Sequence, residues 1–301
     1  MISHQDRDPL PDNIYWYPRS AGRGVDVFVL DTGLDDSSFL EFGIRAHRVA
    51  NLADDDIHVD RIGHGTHVAA VIAGTRYGVA KEAEVFSIKV VNAITEQSSS
   101  HILVAAIELV VQFAKSTSRP TIIQLSLGSA TPDRDLLVEK YILKAVQAGV
   151  HVVTAAGNEN MDACSRSPSY MSQILTVGSA NSRYERSGFS NYGPCVDLFA
   201  PGEHIRSLIP FRRTQYWSGT SIAAAHAAGV LALLLSQRNM NPPEAICYLK
   251  SFAAHGILDH IGRKSPNRFL YNGVRLNISE SHPNCQDLKI DYMFSPWFGA
   301  H

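Results

Sequence analysis

Five short apolar runs constrain what this chain can fold into. Residues 25–30, 84–91, 121–127, 150–156 and 174–179 are rich in β-branched side chains and nearly continuous in apolar character. A strand with one wet face alternates polar and apolar residues, so runs without that alternation belong to a sheet buried on both faces. Between them lie segments with helical apolar spacing at 63–74, 101–115 and 135–148, the last followed by Gly149 where a C-terminal cap belongs. This alternation predicts an α/β fold with a mainly parallel central sheet and helices on both faces. In such sheets functional groups gather beyond the carboxyl ends of the strands. Asp31, Ser126-Leu127-Gly128 and Ala156-Gly157-Asn158 stand at such ends.

The 301 residues suffice for one large domain or two small ones, and at 45% hydrophobic and 19% charged they can bury a substantial core. Lys+Arg 27 against Asp+Glu 29 leaves a net charge of -2, which gives no reason to expect nucleic acid or an anionic membrane as partner. The most apolar run, 222–235, is shorter than the ~20 residues of a membrane span and contains His226, so it reads as a buried helix. Residues 1–20 read as a polar, proline-rich surface arm, 1–280 as one domain, and 281–301 as an appended C-terminal tail. The start of the chain lacks the apolar stretch of a secretory leader, which fits either a protein that is not secreted or a mature form.

Gly219-Thr220-Ser221-Ile222-Ala223-Ala224-Ala225-His226 delivers one serine in a small-residue turn at the start of that helix. A serine hydroxyl is a poor nucleophile unless a base takes its proton and donors hold the oxyanion it creates. Gly63-His64-Gly65-Thr66-His67 offers the base, with His64 between two glycines that permit close approach. The spacing of His64 and His67 is not the His-Glu-x-x-His of metalloproteases, and no third ligand is evident, so His67 reads as a packed or capping histidine. Asp31, directly after a buried strand, suits orienting a histidine, although alone it is equally a turn aspartate. Aspartic proteases carry Asp-Thr-Gly in each of two related halves; it occurs once here, in a chain that reads α/β. Asn158 closes Ala155-Ala156-Gly157-Asn158 at a strand end, where its amide suits an oxyanion; alone it is an ordinary turn residue.

In order along the chain, Asp-Thr-Gly, Gly-His-Gly-Thr-His, Ala-Ala-Gly-Asn and Gly-Thr-Ser-x-Ala-Ala form a specific combination. From Ala21 to Asn272 the chain resembles the subtilisin-like serine proteases. Tyr77-Gly78-Val79-Ala80-Lys81, Ser167-Pro168-Ser169 and Pro266-Asn267-Arg268-Phe269-Leu270-Tyr271 are similar to segments of the proteinase K and aqualysin branch. The resemblance implies a three-layer subtilisin-like fold and a serine endopeptidase that requires no cofactor for catalysis. It implies a triad of Asp31, His64 and Ser221, with the Asn158 side chain and the Ser221 N–H holding the oxyanion. It also implies that Ser126, Leu127 and Gly128, with Ala155, Ala156 and Gly157, wall the S1 pocket. Those segments carry no acid or base, so broad activity with an apolar or aromatic P1 residue is expected. The implied partners are protein or peptide substrates and an inhibitory propeptide absent from this chain. A monomer, secreted or in a secretory or vacuolar lumen, is expected.

The four cysteines are widely spaced, and by themselves they leave two disulfides, one, or free thiols open. Resemblance to aqualysin-like enzymes implies a Cys164–Cys195 bridge, whose loop of about 30 residues is worth roughly 3 kcal/mol. Cys247 and Cys285 either pair or stay free. Resemblance to proteinase K implies a structural calcium, with the Asp197 carboxylate and the backbone carbonyls of Ser172 and Ile174 as hard oxygen ligands. Asn277-Ile278-Ser279 is a glycosylation sequon for a chain that passes the secretory pathway. Two features depart from the family pattern: Ala225 stands where proline is usual, and Thr95-Glu96-Gln97-Ser98-Ser99-Ser100 lacks the usual glycines. They keep two further readings in play. One is a catalytically silent family member that binds partners; the other is a narrow processing protease, with Asp54, Asp55, Asp56 and Glu96 as its acidic subsite candidates.

Overall fold

Asp26–Asp31 forms β1, third from one edge of a nine-stranded sheet. The computed structural model describes residues 1–3, 14–127 and 135–274. After β1 come the single helical turn α1 (Phe39–Phe42), β2 (Ala46–Asn51), α2 (His64–Ala73), β3 (Glu84–Lys89) and α3 (Ser100–Ser116). The chain continues through β4 (Thr121–Leu125), α4 (Leu136–Gln147), β5 (His151–Ala155), β6 (Leu175–Ala180) and β7 (Leu198–Pro201). Then follow β8 (Ile205–Ile209), β9 (Arg213–Trp217), α5 (Thr220–Leu235), α6 (Pro242–Phe252), β10 (Ala254–His255) and β11 (Arg268–Phe269). The sheet order is β10-β11-β7-β6-β5-β4-β1-β3-β2. Every pairing in it is parallel except that of β10 with β11; β8 and β9 form a separate antiparallel hairpin.

The continuous apolar character of the strands follows from a core on each face. Val27 and Val29 belong to the core that includes residues of α2, α5 and α6, while Phe28 and Leu30, pointing the other way, belong to the core that includes residues of α3 and α4. Helix α5 is apolar on all sides because it is enclosed: of its sixteen residues only His226 is not buried. Ala225 is fully buried within it, and the helix is unbroken there, as alanine's helix preference dictates. Helices α4 and α6 start on side-chain caps. Asp135 accepts the Val138 N–H at 3.1 Å, and Asn241 accepts that of Glu244 at 2.9 Å ahead of Pro242 in α6.

Residues 1–3 are held to the body, whereas residues 14–20, the other described part of the expected arm, are exposed or half-buried. Ile2 and Ser3 are buried, and the Asn272 N–H donates to the Ile2 carbonyl at 2.8 Å. Asn272 Nδ2 also donates to the Trp16 carbonyl at 2.6 Å, and the Tyr15 hydroxyl to that of Val79 at 3.1 Å. Buried apolar side chains and satisfied backbone acceptors tie both pieces to the body. The 281–301 tail lies outside the described residues. Among the described residues no helix is long and apolar enough to cross a membrane.

Candidate active site

Parallel strands put the ends of β1, β4 and β5 along one edge of the sheet, where the N-termini of α2 and α5 meet them. Asp31, the last residue of β1, is 1% exposed. Its Oδ1 accepts the Thr32 N–H at 2.7 Å and lies 2.7 Å from Nδ1 of His64, the first residue of α2. A carboxylate oxygen accepts only, so Nδ1 carries the proton and Nε2 is left as an acceptor. The Ser221 hydroxyl lies 2.9 Å from that Nε2.

Gly65 shows why the sequence needs glycine beside His64: a Cβ there would sit 2.3 Å from the Gly33 carbonyl oxygen. The bare backbone lets α2 press against the Asp31-Thr32-Gly33 turn, where the Gly65 N–H donates to Thr32 Oγ1 at 2.8 Å. Behind this contact lies Asp60. Its carboxylate accepts the N–H groups of Ile62, Gly63 and Thr66, and the hydroxyls of Thr32 and Thr66, at 2.7–3.1 Å. Gly63, at the N-cap, has no side chain to cap α2, and Asp60 does so from three residues upstream. Sequence reasoning missed Asp60; its signal was an acid just ahead of a predicted helix start.

Burial works against a charge on His64, but the Asp31 carboxylate and, more distantly, Asp60 outweigh it and hold its pKa above the ordinary value. His67 behaves oppositely. It is fully buried, its Nε2 donates to the Ile205 carbonyl at 3.2 Å, and burial lowers its pKa to about 4. Its ring stacks on Trp217 at 5.0 Å, and Trp217 also lies 6.0 Å from the His64 ring. His67 is thus a packed histidine, as its sequence context suggests.

Asn158 is oriented by Thr220, whose N–H and hydroxyl both donate to Asn158 Oδ1 at 2.9 Å. With the oxygen so engaged, the amide NH2 is directed elsewhere. A Cβ on Gly219 would sit 3.1 Å from Ser221 Oγ and 3.9 Å from Asn158 Nδ2, so hydroxyl and amide border one small space. A cleft of about 270 Å3 opens beside them. Ser126, Leu127, Ala155, Ala156 and Gly157 line it; Gly128 lies outside the described residues. Sequence reasoning missed other lining residues, notably Glu159 and Arg166, which form an ion pair at 3.5 Å.

The profile of the subtilase family matches residues 22–268. This chain belongs to the subtilase family. It is 38% identical over 275 residues to a subtilisin-like protease of Coccidioides posadasii, covering 90% of this chain and 66% of that protein. It is 35% identical over 292 residues to subtilisin-like protease 3 of Saccharomyces cerevisiae, covering 90% and 60%. With alkaline serine exoprotease A of Vibrio alginolyticus it shares 36% identity over 269 residues, covering 89% and 49%. The chain therefore spans about half to two thirds of the length of these curated relatives. Its structure is similar to that of a cold adapted subtilisin-like serine proteinase, with a TM-score of 0.82 and 36% identity over 90% of this chain and 96% of the other.

In this subtilase a disulfide joins Cys164 to Cys195. Cys247 is also disulfide-bonded, and none of the described cysteines is a free thiol. The residues expected to hold calcium do not fit the ion. Asp197 Oδ1 faces Lys250 Nζ at 2.8 Å, and Oδ2 accepts the Thr176 N–H at 2.9 Å. Both carboxylate oxygens are occupied, and an ammonium stands where a cation was expected. Among the described residues no three His, Cys, Asp or Glu side chains cluster to hold a metal. Asp55 is likewise unavailable as an acidic subsite. Burial pushes its carboxyl up, but the Ala93 N–H, the Lys89 ammonium at 3.0 Å and further donors bring it down to about 2.

Proposed function

We propose that this subtilase is a serine endopeptidase that cleaves peptide bonds through an acyl-enzyme on Ser221. The observation that carries this reading is the continuous line from Asp31 through His64 to Ser221, at 2.7 and 2.9 Å. His64 Nε2 takes the Ser221 proton as Oγ attacks the scissile carbonyl, then returns it to the leaving amine. Asp31 fixes the tautomer and stabilises the imidazolium that forms, in keeping with its effect on the His64 pKa. The Asn158 amide and the Ser221 N–H hold the oxyanion, and the positive end of the α5 dipole adds to that stabilisation.

The cleft beside Ser221 takes the P1 side chain. Its backbone walls at Ser126, Leu127 and Ala155-Ala156-Gly157 favour broad acceptance of apolar and aromatic residues, and the Glu159–Arg166 pair adds a polar border. The substrates are proteins and peptides, and a propeptide inhibits the nascent enzyme. Disulfides suit an oxidising setting, so a secreted or lumenal monomer is proposed. Catalysis on this reading uses the chain's own side chains and backbone N–H groups and requires no cofactor. A peptide library varied at P1 tests the reading: cleavage after apolar and aromatic residues supports it, and a strict Arg or Lys preference contradicts it.

A further inference from the structure

Glu139 is a buried acid that this chemistry does not use. It lies on α4 and does not line the cleft. A buried carboxylate is costly unless hydrogen-bonded, and here both oxygens are engaged. Oε1 accepts the Ser167 hydroxyl at 2.8 Å, and Oε2 accepts the Tyr170 hydroxyl. These residues bracket the turn Ser167-Pro168-Ser169-Tyr170, of which Ser167 and Ser169 line the cleft. Ser169 is anchored from the sheet side: its hydroxyl donates to the Ala155 carbonyl at 3.0 Å, and its own carbonyl accepts the Thr176 hydroxyl at 2.8 Å. The turn is thus pinned to the sheet at Ser169 and to α4 at both ends, the latter through a single side chain. Hydroxyl-to-carboxylate bonds are about twice as strong as neutral ones, so Glu139 is a strong link from the turn to α4.

We propose that Glu139 is a positioning residue for substrate selection. By holding both ends of 167–170 it sets the width of the cleft, and hence the discrimination between large and small P1 residues. The proposal rests on the reading of that cleft as the P1 site. A large P1 side chain packs against the wall that Glu139 fixes, whereas alanine barely reaches it. The effect therefore falls on KM for large residues and spares the bond-breaking step.

The test compares two peptide p-nitroanilides that differ only in carrying Phe or Ala at P1. Values of kcat and KM are measured for the wild type, Glu139→Ala, Glu139→Gln and Tyr170→Phe, with thermal melts alongside. Glu139→Ala is expected to raise KM for the Phe substrate about tenfold, the scale on which pocket contacts discriminate side chains. Its kcat, and its KM for the Ala substrate, move less than about twofold. Glu139→Gln keeps an oxygen for one hydroxyl and falls in between. Tyr170→Phe shifts the Phe/Ala ratio in the same direction, although Tyr170 does not line the cleft. If Glu139→Ala does not fold, Tyr170→Phe decides alone. A Phe/Ala ratio within about twofold of wild type in the folded variants overturns the proposal. If the wild type cleaves neither peptide and takes up no fluorophosphonate, the proteolytic reading fails and this role with it; normal labelling with an unchanged ratio removes only the role of Glu139.

Discussion

Thr220 grips the carbonyl of Asn158 twice, with its N–H and its hydroxyl both 2.9 Å from Oδ1. Thr220 begins α5 and Ser221 follows it, so the element that presents the hydroxyl also sets the direction of the amide. A donor fixed before the reaction costs no reorganisation when the oxyanion forms.

On the proposed mechanism, replacing Asn158 with alanine removes one oxyanion donor and leaves Asp31, His64 and Ser221 in place. The expected loss is about two to three orders of magnitude in kcat, the loss known for the equivalent amide in subtilisin itself. Steady-state kinetics with circular dichroism as a fold control check this. Thr220→Val removes the hydroxyl bond to Asn158 and keeps the N–H bond, so it loosens the amide and is expected to give a smaller loss of the same kind.

On the proposed mechanism His64 must be neutral at Nε2. Asp31 and Asp60 outweigh burial and hold its pKa above the ordinary histidine value, so kcat/KM is expected to fall with acid through a midpoint above that of a free histidine. Stability runs the other way. A histidine whose pKa is raised on folding contributes stability that is fully present below its unfolded value and is lost as pH rises through the folded one. Asp60→Asn removes part of the negative charge and moves the kinetic midpoint towards acid. A pH profile of kcat/KM for both proteins measures this.

Cys164 and Cys195 are joined, and Cys247 is disulfide-bonded as well. Intact mass before and after reduction is expected to differ by four hydrogens, and unreduced peptide maps to contain a 247–285 linked fragment. Replacing Cys164 and Cys195 with serine is expected to cost about 3 kcal/mol, from a sequence separation of 31.

Lys250 supplies the charge that balances Asp197. Lys250→Met leaves that carboxylate with one donor and is expected to cost about 2 kcal/mol, less than a fully buried pair because Lys250 is 30% exposed. The wild-type melting temperature is expected to be unchanged by EDTA. Denaturant melts of both proteins, with and without chelator, decide the matter.

The features legible in the sequence are those carried by local pattern. Residues 25–30 announce β1 because both its faces are buried, and Asp31 then falls at a strand end. The uniformly apolar stretch after Ser221 announces an enclosed helix. The apolar runs overshoot some strands, because Val90, Val91 and Leu127 continue as buried or lining residues beyond the last ladder bond. Asn241-Pro242-Pro243-Glu244 carried a cap signal for α6 that reasoning from apolar runs passed over. The hairpin bearing Trp217 was hidden because β9 is short, polar and largely exposed. Contacts between distant residues leave no local trace: Lys250 meets Asp197 across 53 residues, and Glu139 meets Ser167 across 28.

The central claim is that His64 makes Ser221 nucleophilic. The intact chain, treated with a fluorophosphonate probe and mapped by mass spectrometry, tests it most directly. One adduct is expected, on Ser221, and it is expected to vanish in folded His64→Ala. A folded wild-type chain that takes no label, or an adduct on Ser221 that persists at the wild-type rate without His64, would contradict the account.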